Sequence, residues 1–345
     1  MKSIQPLNMS LNTNPAELQI AFLKQIKSQL PSHLALVDAI AELLNLSNDS
    51  AYRRIRGEKH LTFDEIQILA AHYRISLDSF LHLKQDALVF WGKNIDREQF
   101  DFENYLQGIV RQLEYFMSAK EKIMYYLNKD IPIFHHFMFP ELAAFKCYFW
   151  SRYDLDYPRF NRDQFLIEDF INIFNNTGRR ISELYLQIPS VEIWNLDCIN
   201  TTIRQIDYYK ETRIFKSQQD IETVYNCLEK LVDHIEMQVE YGYKFPPEKP
   251  AQKNKVKYSV YINDFTLGDN TIIVEMDGEK TVFLNHNIIN YIMTNNKEFI
   301  NYTFDTLKIL LRKSMLISEI SERDRQLFFH ILRERIHEKR KAGIK

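Results

Sequence analysis

The sequence predicts a mainly α protein that closes with a small α+β domain. Glycine is scarce, at 8 of 345 residues against a usual ~7%. Apolar residues recur at helical spacing through most of the first 240 positions, whereas β-rich segments are confined to about 257–285. These observations predict an N-terminal five-helix domain at 1–85, an all-helical region at 97–243 and an α+β domain at 257–341.

Composition and charge exclude several classes of protein. Hydrophobic residues make up 45% of the chain and charged residues 26%, which is ordinary for a globular protein. The formal net charge is only -2, so any nucleic-acid role must depend on local charge. Three distant cysteines indicate free thiols in a reducing compartment. No leader and no apolar stretch of ~18 residues is visible, which predicts a cytoplasmic protein without a membrane partner.

Local signals define the elements of the first domain. Ser47 is placed to cap a helix, and Gly57 follows that helix where a left-handed residue commonly ends one. Thr62 and Glu65 have the spacing of a capping box, and the helix they begin is predicted to turn Phe63 inward. The five predicted helices cover about 15–30, 34–45, 47–56, 62–73 and 76–83.

A resemblance to a known family rests on residues 34–83. The quoted stretch is "LVDAIAELLNLSNDSAYRRIRGEKHLTFDEIQILAAHYRISLDSFL", in which a glycine follows Ser47 by ten residues and "RISLDSF" closes the pattern. This stretch resembles the XRE-type, lambda-repressor-like helix-turn-helix regulators. The resemblance implies sequence-specific binding to double-stranded DNA by a homodimer that reads two half-sites. Family members often carry Gln where this chain has Asn48 or Asp49, so their sequence preference does not transfer.

Helical geometry sorts the side chains of the third helix. Ala51 and Ile55 share one face and are expected to pack on the second helix. The resemblance implies that the opposite face enters the major groove. The candidate base-reading residues there are Asn48, Asp49, Tyr52 and Arg53, and the candidate phosphate contacts are Arg54, Arg56, Lys59 and His60. The alternative is a solvated basic face on a protein-interaction module that kept the fold without reading DNA.

The remaining elements follow from periodicity and turn signals. Asp277-Gly278 predicts a tight hairpin turn within the strands of 257–285. The proline- and lysine-rich segment 244–257 is predicted to be an exposed linker or loop. Predicted helices before it cover 97–128, 140–154, 163–175, 179–187, 197–215 and 219–241, and those after the strands cover 287–293, 296–314 and 321–341.

No catalytic, cofactor or metal motif is recognised, so no enzyme, cofactor or metal site is predicted. Adjacent His135 and His136 would point apart on a helix and suit one metal poorly. The aromatic residues of 100–245 predict either an ordinary core or a pocket for a small apolar effector. Dimerisation through 97–128 or 219–241, or binding of a protein partner, is the other expected role of this region.

Overall fold

The chain forms two compact units, Met1–Val89 and Phe90–Lys345. The computed structural model describes residues 15–30, 34–73, 75–81, 88–92, 101–155, 164–247, 255–265, 268–287 and 290–342. The predictions for the first 14 residues, for the start of the helix at 97–100 and for residues 248–254 of the linker fall outside these ranges. The rest of the linker prediction is wrong in part, because Lys244 and Phe245 are buried and a strand begins at Val256. Each unit has its own hydrophobic core.

The first unit is helical. Its core joins Phe22, Leu23 and Ile26 of the first helix with Ile40, Ala51 and Leu69 of the next three. The last helix is a single four-residue turn, so a domain of five full helices, as the family resemblance implied, is not shown. The helices are α1 Pro15–Gln29, α2 Leu36–Leu44, α3 Asn48–Ile55, α4 Phe63–His72 and α5 Leu77–Phe80.

The predicted local signals of this unit are confirmed, with one exception. Ser47 Oγ accepts a hydrogen bond from Ser50 N at 3.3 Å, and Thr62 and Glu65 form a reciprocal capping box. Gly57 has φ +77°, a conformation in which a residue with a side chain would be strained. Phe63, however, is 78% exposed rather than inward. The α4 N-terminus lies at the surface, and first-turn side chains point back toward that end.

The second unit combines helices with a sheet. Its helices are α6 Phe102–Met117, α7 Ile133–His136, α8 Pro140–Phe149, α9 Ile167–Ile173, α10 Arg179–Tyr185, α11 Asn200–Glu211, α12 Gln218–Tyr241, α13 Lys297–Arg312 and α14 Glu322–Ala342. Its strands are β1 Lys122–Leu127, β2 Ser190–Trp194, β3 Tyr243–Lys244, β4 Val256–Ile262, β5 Thr271–Met276, β6 Glu279–Asn285, β7 Tyr291–Thr294 and β8 Met315–Leu316. Short π-helical turns at Trp150–Asp154 and Phe174–Gly178 extend α8 and α9.

The predicted fold class is wrong, because the strands form an eight-stranded mixed sheet rather than a small terminal one. The strand order is β3-β4-β2-β1-β5-β6-β7, with β8 also paired to β4. Strands β1 and β2 come from the region predicted to be all helical, and they pair in parallel with each other. Strand β2 also runs parallel to β4, whereas β1 and β5 are antiparallel. The sheet therefore contains strands from both 97–243 and 257–341, which were predicted to be separate domains.

Helices cover both faces of this sheet. Met124 and Tyr126 of β1 face the larger core, which includes residues of α6, α8, α10, α11, α12 and α14. Tyr125 and Leu127 face the opposite side, where α13 packs. A strand covered on both faces reads as a nearly continuous apolar run, so β1 lacks the alternation that would have marked it.

Two segments predicted as helix are strands, whereas the predicted hairpin is confirmed. The helix expected over 97–128 ends at Met117, and β1 follows it. The helix expected at 287–293 is replaced by β7, which pairs with β6. Asp277 and Gly278 join β5 to β6 with φ values of 48° and 88°, as a tight hairpin turn requires.

Candidate nucleic-acid interface

Helix α3 buries one face and exposes the other. Ala51 is fully buried among residues of α2, and Ile55 packs half-buried beside it. Asn45, at φ 52°, ends α2 in the left-handed conformation, so that α3 begins after a three-residue turn. The first unit thus presents the opposite face of α3 to solvent.

The exposed side carries most of the sequence-predicted site residues. Among the described residues, the side chains of Arg53 and His60 form no hydrogen bond or ion pair. Arg56 lies 5.8 Å from the Tyr52 ring centroid and 3.7 Å from Glu58. We call the exposed set the cationic face; it comprises Asn48, Asp49, Tyr52, Arg53, Arg56, Lys59 and His60.

The assignment of Arg54 to a phosphate contact is corrected by the structure. Arg54 is only 3% exposed. Its Nε and Nη2 donate to the two carboxylate oxygens of Glu65 at 3.0 and 2.6 Å, and its Nη1 donates to Ser50 O. The hydrogen bond from Arg54 holds the pKa of the Glu65 carboxyl below its usual value. Arg54 therefore ties α3 to α4 and does not face a ligand.

Gln19 of α1 holds the loop that follows α3, a role that sequence reasoning missed. Its side-chain amide donates to Arg54 O at 2.6 Å and to Lys59 O at 2.9 Å, and its Oε1 accepts from Leu61 N at 2.8 Å. Three such bonds fix the loop backbone that carries Lys59 and His60. A glutamine 40 residues away gives no pairing signal in a single sequence, so only the structure could show this contact.

Asn48 and Asp49 lie at the N-terminal end of the cationic face. Asn48 Nδ2 donates to Asp38 Oδ1 at 3.2 Å, an exposed contact that a ligand could replace. Asp49 lies in the first turn of α3, where a carboxylate favours the positive end of the helix dipole. This end of α3 thus offers amide and carboxylate groups, and the later turns offer guanidinium groups.

A buried polar network lies in the second unit. Glu192 of β2 is fully buried, and its oxygens accept hydrogen bonds from Tyr185 Oη, from Trp194 Nε1 at 2.7 Å and from Tyr258 Oη at 2.9 Å. His135 Nε2 lies 3.6 Å from the same carboxylate. Burial alone would raise the pKa of Glu192, but His135 and Lys244 outweigh it and lower that pKa to about 2.

Lys244 brings a buried ammonium to this network. Its Nζ donates to Ile188 O at 2.9 Å, to Tyr185 O at 3.2 Å and to Ser190 Oγ at 2.5 Å. Burial lowers the pKa of Lys244 to about 7. Because Glu192 and Lys244 already have protein partners in a packed core, the network is an internal support of the sheet rather than an open cleft.

His135 and His136 are both buried in this core. His136 is 1% exposed, with Nδ1 3.3 Å from Pro132 O, and burial holds the pKa of its imidazole well below the usual value. Over the described ranges, no group of three His, Cys, Asp or Glu side chains could hold a metal ion. Within the same ranges, no helix combines the length and apolar character needed to cross a bilayer.

Comparison of the chain with family models, curated proteins and solved structures finds no match in any of the three.

We expect the second unit to lose stability as the pH falls from about 6.5 to 4. Burial lowers the pKa of His234 to about 4, and its Nε2 lies 2.9 Å from Phe245 O. The unfolded chain binds this proton near pH 6.5, whereas the folded chain excludes it until about pH 4. Stability present above pH 6.5 is thus lost as the pH drops, by roughly 1 to 3 kcal/mol.

Urea unfolding at several pH values tests this, followed by tryptophan fluorescence because all three tryptophans lie after residue 90. The variant His234→Gln should show a shallower dependence on pH across this window. Equal slopes in the two proteins would contradict the assignment to His234.

Proposed function

We propose that the chain is a sequence-specific DNA-binding transcriptional regulator whose first unit reads the duplex. The observation that carries the proposal is the division of α3: Ala51 is buried against α2, while Arg53 is exposed among the described residues without an ion-pair partner. An α-helix fits the major groove of B-DNA, and an exposed arginine can donate to guanine O6 and N7 together. The resemblance of residues 34–83 to XRE-type regulators supports the same role.

The charge distribution supports this proposal over a general surface role. Residues 52–60 contain four Lys or Arg residues against one Glu, which is a local charge of +3 in a chain of net charge -2. The buried Arg54 forms an ion pair with Glu65, which neutralises its charge. The cations of this segment that remain exposed are Arg53, Arg56 and Lys59. Of these, Arg56 lies beside the Tyr52 ring, which is 48% exposed and can contact a thymine methyl or the backbone.

We further propose that the protein is a homodimer in the cytoplasm and that its second unit binds an effector or forms the dimer contact. Selection of binding sites from random duplex DNA by the purified full chain tests binding and symmetry together. A two-fold symmetric preferred site is the result expected of a dimer. An affinity that is weak and does not fall with salt would instead favour a protein-interaction module without DNA reading.

Two substitutions in the cationic face should have different effects. Arg53→Ala should weaken binding to the preferred site by about 1 to 3 kcal/mol and relax selectivity at one base pair. Lys59→Ala should weaken binding to all sequences alike and reduce the salt dependence by about one counterion. Gel-shift titrations on specific and random duplexes across a range of salt measure both effects.

Lys27→Ala is the matched control, because Lys27 is an exposed cation on α1, outside the cationic face. Its affinity should stay near that of the parent. If Arg53→Ala and Lys59→Ala also bind like the parent, the cationic face does not contact DNA and the proposal is overturned.

A further inference from the structure

A recess of about 150 Å³ lies in the second unit beside β6 and β7. Four aromatic residues, Trp91, Tyr115, Phe116 and Phe283, line it together with Met293 and four polar residues. The Phe116 and Phe283 rings meet edge to face with centroids 5.9 Å apart. A cavity of this volume accommodates a benzene-sized molecule, so the recess suits a small aromatic molecule and not a larger cofactor.

Polar groups at the recess are neutral and available. Gln112, Thr281 and Asn295 contribute to the lining, and over the described residues none of their side chains has a hydrogen-bond partner in the protein. The lining of this recess contains no acidic or basic side chain among the residues described. An ionised ligand would therefore lack a counter-charge, whereas a neutral ligand with a hydroxyl or ring N–H would find partners.

One wall belongs to the segment that joins the two units in sequence. Trp91 N donates to Met293 O and Met293 N donates to Trp91 O, both at 2.8 Å, which forms a two-residue bridge onto β7. The Phe90 and Phe299 rings pack edge to face at 5.4 Å. A Cβ on Gly92 would lie 2.8 Å from Ile292 Cγ2, so a larger residue here would require Ile292 to shift.

We infer that this recess is a binding site for a small uncharged aromatic molecule that carries one hydrogen-bonding group. The ring would stack among the aromatic walls in the offset or edge-to-face arrangements that such rings prefer. The hydroxyl or N–H group would bond to Thr281 or to the amides of Gln112 and Asn295. An occupant would contact the Trp91 bridge, and its binding does not depend on the DNA-binding proposal.

Phenol and indole are the probes that test this inference, with benzoate and benzylamine as charged comparisons. Ligand-observed NMR on the full chain should give a Kd for phenol of about 0.1 to 1 mM, as expected for so few heavy atoms. The charged comparisons should bind at least tenfold more weakly. Methyl-labelled methionine should place the site, because the Met293 signal should shift on addition of phenol.

Thr281→Val keeps the side-chain shape but removes the hydroxyl, and it should weaken phenol binding about fivefold. Trp91→Ala removes a wall and should weaken binding more than tenfold. Tyr302→Ala, at a 72% exposed position on α13, is the matched control and should bind normally. Thermal unfolding of each variant separates loss of the site from loss of the fold.

Two outcomes would overturn the inference. One is that neither phenol nor indole binds the parent below about 5 mM. The other is that phenol binds without moving the Met293 signal, or binds a folded Thr281→Val protein and a folded Trp91→Ala protein as tightly as the parent.

Discussion

Replacing Glu192 with alanine is expected to lower the free energy of unfolding of the second unit by about 3 to 5 kcal/mol, because it breaks a buried charge network. Lys244 would be left buried, at 2% exposure, without the carboxylate that balances its charge. The hydrogen-bond donors on Tyr185, Trp194 and Tyr258 would also lose their acceptor. Urea unfolding followed by tryptophan fluorescence measures the change.

The matched control is Glu114→Ala, which breaks an ion pair at the surface. Glu114 and Arg180 are 3.0 Å apart, with side chains 46% and 48% exposed. Its removal should change stability by less than about 1 kcal/mol. A loss after Glu192→Ala no larger than that of the control would contradict the internal role of the network.

Glu192→Gln separates charge from packing within the same network. Glutamine can still accept hydrogen bonds but no longer favours the ammonium of Lys244, whose pKa burial lowers to about 7. The pKa of Lys244 should fall further in this variant. Because the unfolded chain holds that proton up to about pH 10.5, the parent should gain stability from about pH 7 upward, whereas the variant should already gain it below pH 7.

Replacing Arg54 with alanine is expected to destabilise the first unit by roughly 2 to 4 kcal/mol. Arg54 is 3% exposed and bonds both oxygens of Glu65, so its loss leaves a carboxylate without its partner. The value lies toward the lower part of the range for buried pairs because the Glu65 side chain retains 15% exposure. Hydrogen exchange over residues 36–72 measures this unit separately from the second.

Comparing Arg54→Ala with Arg53→Ala distinguishes a residue that stabilises the fold from one that contacts DNA. Arg53→Ala should leave exchange in this region unchanged while it weakens DNA binding, since its side chain is exposed. Arg54→Ala should lose DNA binding only as far as it loses folded protein. If Arg54→Ala stays fully folded and still binds DNA less tightly, Arg54 contacts DNA and is not only a link between α3 and α4.

The cationic face was largely predictable because its signals are local. Ser47 and Thr62 mark helix starts a few residues from the groups they cap, and Ala51 shows the buried side of α3. Arg54 was misassigned because it lies in a run of basic residues, whereas its partner Glu65 lies on the next helix. The exposed Phe63 shows that periodicity fails in a first turn that ends at the surface.

The eight-stranded sheet was not predicted because two of its strands, β1 and β2, lack the sequence pattern typical of strands. Strand β1, "KIMYYL", is apolar at most positions, and a short apolar run does not distinguish strand from helix. Strand β2, "SVEIW", carries a charged residue, Glu192, at a buried position. A charged residue at such a position argues against a core strand unless it has buried partners. The partners of Glu192 lie on α7, α10, β3 and β4.

The sequence by itself determined where α2, α3 and α4 begin and end and which side of α3 carries exposed cations, because caps, turns and helical periodicity act over four residues or fewer. Only the tertiary structure decided the mixed sheet, the pairing of Arg54 with Glu65, the network around Glu192 and the recess beside Trp91. Those features join residues far apart in the chain. Burial makes their pairing energetically necessary, but no local pattern names the partner.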